Sequence, residues 1–226
     1  MPIDYIIYPE IFGKGVKAFF TGKSPGAHIG RIAEIASVSK DNIYFPKQLH
    51  TGKVIELKMD MTPQVADAVI TGRKDVLIGI QTADCVPILI YSRDSNLIAA
   101  VHAGWRGTVK GILKKTLRKM LNSSKSDNIL MAIGPAIRGC CYKVGLDVLQ
   151  AVIKETGKGD YYTQRNGANR LDLSYANMYQ AMSMGISKEN IWMSDECTYC
   201  SSERFYSYRK TKGTTGRQGG FIGIRS

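Results

Sequence analysis

The chain is 226 residues long, 44% hydrophobic and 22% charged, values close to those of ordinary globular domains, which excludes disordered and fibrous classes. This length fits one domain spanning 1–226, large enough to bury roughly 70% of its unfolded surface without disulfide staples. Lysine and arginine number 31 against 19 acidic residues, a net charge of +12. That excess points either to an anionic ligand or to a well-solvated basic surface.

The opening stretch, MPIDYIIYPEIFGKGVKAFF, lacks the basic start, apolar run and small-residue cleavage site of a secretory signal. The longest central apolar run, Val86–Tyr91, contains Pro87 and is far short of the about 20 residues a membrane helix needs. Five cysteines, an odd number, do not describe a disulfide scaffold. A cytoplasmic protein with reduced thiols and no membrane contact is therefore expected.

In chain order, the glycine-rich stretch 22–30 reads as a loop. Strands are predicted over Val76–Ile80, Val86–Tyr91 and Leu97–Val101, each short and rich in branched aliphatics, with Ser92–Asn96 as a hairpin connection. A second loop at 104–107 leads into a helix predicted over Thr108–Leu121. There Val109, Ile112, Leu113, Leu117, Met120 and Leu121 follow helical spacing. Lys110, Lys114, Lys115, Arg118 and Lys119 fall mostly off that face and read as solvated rather than as a nucleic-acid stripe. Next come a strand over Ile129–Ile133, a helix over Gly145–Glu155 stopping at Gly157, and a loop over 157–167. A helix over Ser174–Met184 stops at Gly185. Strands come next at Ile191–Ser194, Phe205–Tyr208 and Phe221–Ile224, with glycine-rich loop character over 213–223. Helices are interspersed irregularly among strands, which is the pattern of an α+β fold.

The three histidines are His28, His50 and His102. His50 sits in the loop-like QLHTG segment, His102 at the end of a strand in VHAGWRG, and Cys85 at a strand junction in TADCVP. Two imidazoles and a thiolate suit zinc, and three protein ligands leave the fourth position open, as in catalytic sites. The spacings, 35 residues and then 17, match no compact zinc motif. The same residues also allow a Cys85 nucleophile with His102 as its base. A pair of polar loop histidines beside a packed thiol is the plainer alternative.

Cys197 and Cys200 have CxxC spacing without a second such pair, and Cys140 and Cys141 are adjacent. Neighbouring cysteines do not readily supply two tetrahedral corners, so these four read as buried or incidental thiols. The run RKTKGTTGRQGG, residues 209–220, carries cations, hydroxyls and glycine amides that can hold an anion. It is not a Walker A loop, and a flexible basic connection accounts for it equally.

TADCVPILI, AAVHAGWRGT, IGPAIRGCCYKVG and FYSYRKTKGTTGRQGGFIGI, with upstream ADAVITG and QLHTGKV, resemble the signature blocks of the YfiH family, once labelled polyphenol oxidases. The resemblance covers most of residues 48–226. It implies a four-layer αββα arrangement with mixed sheets, related to that of bacterial toxin cysteine deamidases. It also implies a zinc site of two histidines and one cysteine, falling on His50, Cys85 and His102. The implied activity is phosphorolysis of purine nucleosides (adenosine, inosine, methylthioadenosine), with adenosine deamination beside it; a monomer or homodimer is expected. One departure stands out: FFTGKSPG lies where the family has a segment like FSTRxGG, so Gly22 replaces an arginine.

Copper-dependent phenol oxidation is an older family assignment. A four-copper cluster needs about ten imidazoles, so three histidines exclude it, while a single copper at the zinc ligands stays open. The cytidine-deaminase signature is absent too, since glycine stands two residues after both His50 and His102. Asp84, beside Cys85, is the candidate for proton handling, or else caps a turn or orients a ligand imidazole. Arg106 is the first candidate for holding phosphate, with Arg209 and Arg217 behind it. Two alternatives remain: a Cys85/His102 hydrolase or amidase acting in peptidoglycan editing, and a basic binding module with a vestigial site. The aromatic and basic interleaving of RNA-binding modules is missing, which counts against nucleic acid.

Overall fold

A computed structural model describes residues 4–165, 167–213 and 215–225; Thr214 of the basic 209–220 run lies outside them. The elements in order are β1 (Ile6–Ile7), β2 (Val16–Thr21), α1 (Ile29–Ala36), β3 (Ile43–Tyr44), β4 (Val54–Glu56) and β5 (Ala68–Thr71). Then come β6 (Leu77–Thr82), β7 (Val86–Ser92), β8 (Ile98–Ala103), α2 (Trp105–Val109), α3 (Ile112–Leu121), β9 (Ile129–Ile133) and β10 (Lys143–Val144). The last are α4 (Leu146–Thr156), β11 (Tyr162–Arg165), β12 (Ala168–Leu171), α5 (Leu173–Ser183), β13 (Ile191–Met193), α6 (Tyr208–Thr211) and β14 (Gln218–Ile224).

Two large mixed sheets carry the fold, ordered β1-β2-β14-β6-β3 and β13-β9-β7-β8-β5-β4, beside a small β10-β12-β11 sheet. Most neighbours are antiparallel, but β3–β6, β4–β5 and β9–β13 run parallel. Strand side chains alternate between faces, and here both faces of the six-stranded sheet are covered. Ile88 and Ile90 of β7 join Ile112, Leu117 and Met120 of α3, together with Leu149 of α4 and Ala181 of α5. Leu89, one residue out of phase, instead meets Phe20, Ile78 and Ile222 of the five-stranded sheet. On the far side of that sheet Phe19, Leu77 and Phe221 pack against Ile32 and Ala36 of α1. The result is helix, sheet, sheet, helices, the four-layer α+β order that the resemblance implied. Double-sided burial also explains why β7 reads as a continuous apolar run rather than an alternating one.

Several predicted elements shift. The helix expected over Thr108–Leu121 is split, because Gly111 takes φ +64° between α2 and α3. Phe205–Tyr208 is not a strand. Its backbone partner is a side chain: Gln218 Oε1 accepts from Tyr206 N–H at 2.8 Å and Gln218 Nε2 donates to Tyr206 O at 3.0 Å. Ser207 then caps α6, its hydroxyl accepting from Lys210 N–H at 3.2 Å. The stretch 157–167 holds β11, which pairs with β12 through a turn containing Gly167 at φ +72°. The glycines of 218–223 lie inside β14, where a Cβ on Gly220 would come within 2.9 Å of the Phe20 ring. The 22–30 loop gives way to α1 at Ile29. Gly22 itself lies against backbone, since a Cβ there would sit 2.6 Å from Arg204 O, so this backbone leaves no room for a side chain at the position.

Ile88 is fully buried between the six-stranded sheet and α3. Ile88→Ala should destabilise the protein by about 2–5 kcal/mol through lost transfer energy and a cavity. Met59→Ala, at a site 81% exposed, should change stability by under about 0.5 kcal/mol. Urea unfolding of the two variants checks this, and equal midpoints would contradict the layer assignment.

Candidate metal and substrate site

β7 and β8 pair antiparallel with Val86 opposite Ala103 and Pro87 opposite His102. This register puts Cys85, just before β7, beside the end of β8. β5 pairs with β8 on the other side, Ala68 opposite Val101, so Asp67 arrives next to His102, whose N–H donates to Asp67 O at 2.7 Å. His50 comes from the turn before β4, in a left-handed conformation at φ +54°. Gln48, two residues earlier, fixes that turn to β6: its Nε2 donates to Gln81 O at 2.8 Å and its Oε1 accepts from Gln81 N–H at 2.7 Å.

Asp67 ties these segments together. Its buried carboxylate accepts from His50 N–H at 3.0 Å, from Thr51 N–H, from Thr51 Oγ1 at 2.7 Å and from His102 Nδ1 at 2.8 Å. A carboxylate can only accept, so Nδ1 of His102 carries the proton and Nε2 faces the cavity. Burial opposes the charge on Asp67, but the hydrogen bonds from His102 and Thr51 outweigh it and hold the carboxyl at about 2.

The ligand atoms of His50, Cys85 and His102 all lie within 4.8 Å of one another. Cys85 Sγ is 3.9 Å from His50 Nε2, and the two imidazole rings are 4.8 Å apart edge to face. Bonds of about 2.0–2.3 Å to a tetrahedral ion need ligand atoms roughly 3.3–3.8 Å apart, so the set fits one metal ion with only small adjustment. Gly104 leaves the room: a Cβ there would sit 2.7 Å from Cys85 Sγ and 3.3 Å from the His50 ring. Burial works against charge at both Cys85 and His102. Their mutual attraction prevails, with help from His50 and Asp67, holding the thiol at about 6 and raising the imidazolium.

The three residues stand in a cavity of about 610 Å³, which Arg106, Tyr142, Arg209 and Arg217 also line. The Arg106 guanidinium stacks on Trp105 at 4.4 Å and makes no hydrogen bond among the described residues. Arg209 stacks on Tyr142 at 5.0 Å and donates to Lys143 O at 2.8 Å, while Arg217 donates to the carbonyls of Thr215 and Gly216. Asp84 lines the same cavity at φ +83°. Its Oδ1 accepts from Thr198 Oγ1 at 2.6 Å and its Oδ2 from Arg209 N–H at 2.7 Å. It therefore clamps loops and does not orient an imidazole; Asp67 does that. The sequence pattern does not single out Asp67, although it lies in the ADAVITG block. His28 is exposed at the start of α1 and is not one of the clustered ligands. Cys140, Cys141, Cys197 and Cys200, which spacing alone would leave as incidental thiols, are gathered in a cluster of their own.

Residues 26–225 match the family model described as "Multi-copper polyphenol oxidoreductase laccase". A purine nucleoside phosphorylase from Aquifex aeolicus is 38% identical over 207 residues, spanning 91% of this chain and 94% of that one. Adenosine deaminase RL5, from an unknown prokaryotic organism, is 33% identical, spanning 83% of this chain and 76% of its own. The crystal structure of YlmD from Geobacillus stearothermophilus superimposes with a TM-score of 0.86 at 29% identity, covering 96% of this chain and 94% of the other. No helix among the described residues is long and apolar enough to cross a membrane.

Two outcomes test this geometry. Asp67→Asn should weaken metal binding at His50, Cys85 and His102 about 10- to 100-fold, as removal of a ligand's outer partner does; chelator competition measures it, and unchanged affinity would deny Asp67 its orienting role. In metal-free protein the Cys85 thiol is protonated below about pH 6, so its alkylation should be slow there, climb through that pH and level off above it. Peptide mass mapping tracks Cys85 alone, and a midpoint near the ordinary thiol value of about 8.5 would contradict the ion pair.

Proposed function

The chain belongs to the YfiH family of polyphenol-oxidoreductase-like proteins, and on that premise we propose that it is a zinc-dependent purine nucleoside phosphorylase with adenosine deaminase side activity. The observation that carries this reading is the convergence of His50, Cys85 and His102 inside a cavity bordered by Arg106, Arg209 and Arg217. His50, Cys85 and His102 would hold the zinc. Zinc held there would supply Lewis acidity for polarising a purine or activating water.

The chain's own residues account for the rest. The cavity volume suits a nucleoside together with a small anion. Tyr142, which lines the cavity, would offer the base an apolar contact. Phosphorolysis passes through a transition state of oxocarbenium character, so phosphate must be held close to the sugar. Arg106 carries an uncommitted fork of donors and is the residue we assign to that anion. Arg209 and Arg217 hold part of their donors on backbone carbonyls and add mainly positive field. Asp84 would move the proton needed by deamination from a fixed position, anchored by Thr198 and the Arg209 amide. Copper at the same ligands would be adventitious.

A specific feature favours a second reading, a hydrolase or amidase: without metal, Cys85 and His102 form a thiolate and imidazolium pair. Metal analysis separates the two, since catalysis by zinc-free protein with an alkylation-sensitive Cys85 would support the second. The direct test is incubation with adenosine, inosine and methylthioadenosine, with and without phosphate, and then analysis of base and sugar products. Phosphate-dependent release of base is expected; its absence with all three would overturn the reading.

Arg106→Ala should slow phosphorolysis by about 2–4 kcal/mol of barrier, roughly 30- to 1000-fold, and deamination much less, because attack of water on the purine needs no phosphate. Arg106→Lys should recover only part, having the charge without the fork. His28→Ala, in the same assay, should stay within about threefold of the parent protein. Equal loss of both reactions with a drop in bound zinc would mean that Arg106 only props the turn after His102.

A further inference from the structure

The four remaining cysteines come from two turns far apart in sequence. In the first, Arg138 O accepts from both Cys141 N–H and Tyr142 N–H at 2.9 Å, and this tight reversal swings the adjacent thiols of Cys140 and Cys141 to the same side. In the second, Cys197 O accepts from Ser201 N–H at 2.9 Å, which curls the CxxC segment back on itself. The turns are joined by a bridge between Ala136 and Cys197, with Thr198 N–H donating to Ala136 O at 3.1 Å.

All four sulfurs lie within 4.8 Å of one another. Cys200 Sγ is 3.7 Å from Cys140 Sγ and 3.2 Å from Cys141 Sγ. Four thiolates about 2.3 Å from one ion sit about 3.8 Å apart in a tetrahedron, so the spacing needs little change. It is far beyond the roughly 2.0 Å of a sulfur–sulfur bond, and all four are free thiols. Cys197 Sγ accepts from Arg138 N–H at 3.4 Å. An amide donating to a sulfur stabilises it as an anion. Cations are attached to the same turns: Arg170 donates to Cys140 O, and Lys210 Nζ to Tyr199 O at 3.5 Å. They suit a centre with four thiolates around a doubly charged ion, which is net negative.

We propose that Cys140, Cys141, Cys197 and Cys200 form a second metal centre, a tetrathiolate site for one soft divalent ion of the zinc type. It shares no residue with the His50, Cys85 and His102 set. All four positions around the ion are filled by protein, so the centre is structural rather than catalytic. Its effect is to lock two turns that wall the cavity. Ile137 and Tyr142 line it from one turn, and Thr198 of the other holds Asp84. Binding displaces the thiol protons to solvent.

Cobalt titration of the full chain tests this. Two cobalt ions per chain are expected, one with the charge-transfer and ligand-field bands of a tetrahedral four-sulfur site. Cys140→Ser/Cys200→Ser should lose that spectrum and bind one ion, while His50→Ala should keep it. Zinc content of the parent protein should fall from two to one per chain in the double variant. Uptake of a single cobalt by the parent protein without the four-sulfur spectrum would overturn the proposal, even if the double variant failed to fold. So would an intact mass two hydrogens light, which means a disulfide. Loss of the four-sulfur signal alone leaves the nucleoside reading untouched.

Discussion

A single buried carboxylate sets the geometry on which the candidate site depends. Asp67 has no exposed surface, and burying an anion costs several kcal/mol unless hydrogen bonds replace its water. Those bonds come from His102, from the amides of His50 and Thr51, and from the Thr51 hydroxyl. The same contacts that make the burial tolerable therefore place one imidazole and fix the backbone of the other. Pairing of β5 with β8 delivers Asp67 to the end of the strand that ends in His102-Ala103, and pairing of β8 with β7 delivers Cys85. The sheet's register is thus expressed directly as ligand geometry.

Legibility in the sequence divides along the same line. Strands buried on both faces, such as β7 and β9, announce themselves as apolar runs, and α4 and α5 end near the glycines that mark them. Asp67 is not legible in this way, because spacing does not distinguish a buried acceptor from an exposed aspartate. The break at Gly111 is hidden by apolar periodicity that continues on both sides of it. Phe205–Tyr208 has strand-like composition because Phe205 is wholly buried, yet a side-chain amide takes the place of the neighbouring strand. The cysteine cluster escapes for a related reason. Adjacency in sequence fixes the distance between Cys140 and Cys141 but not the reversal that brings both sulfurs to Cys200.

The positive charge of the chain is uneven in its consequences. Much of it lies on solvated surface, as on α3, where Lys115, Arg118 and Lys119 are exposed. Cations in the cavity differ by what already holds them. Arg209 and Arg217 spend donors on backbone carbonyls, whereas the Arg106 fork rests on Trp105. Stacking leaves a guanidinium's in-plane donors available, which is why an arginine on an aromatic face is suited to an anion. A multi-copper cluster, by contrast, has no ligands to draw on: with His50 and His102 in the cluster, only the exposed His28 is left.

The cavity walls are mostly irregular segments, so strand ladders cannot hold them, and buried acceptors do it instead. Asp67 takes the amides at 50–51, Asp84 the amide of Arg209 and the hydroxyl of Thr198, and Asp172 the Arg138 side chain and the Gly139 amide. Gln218 does the same for Tyr206. Loss of an acceptor leaves its donors without a protein partner, at a penalty of up to about 1–3 kcal/mol where the donor is buried, as for Thr198, and confined to one loop. Damage to a clamp is therefore felt at the site before it is felt in the core, where four layers of apolar packing hold the sheets independently. The scaffold and the site are built from different interactions, and the residues that join them are buried acceptors at the ends of loops.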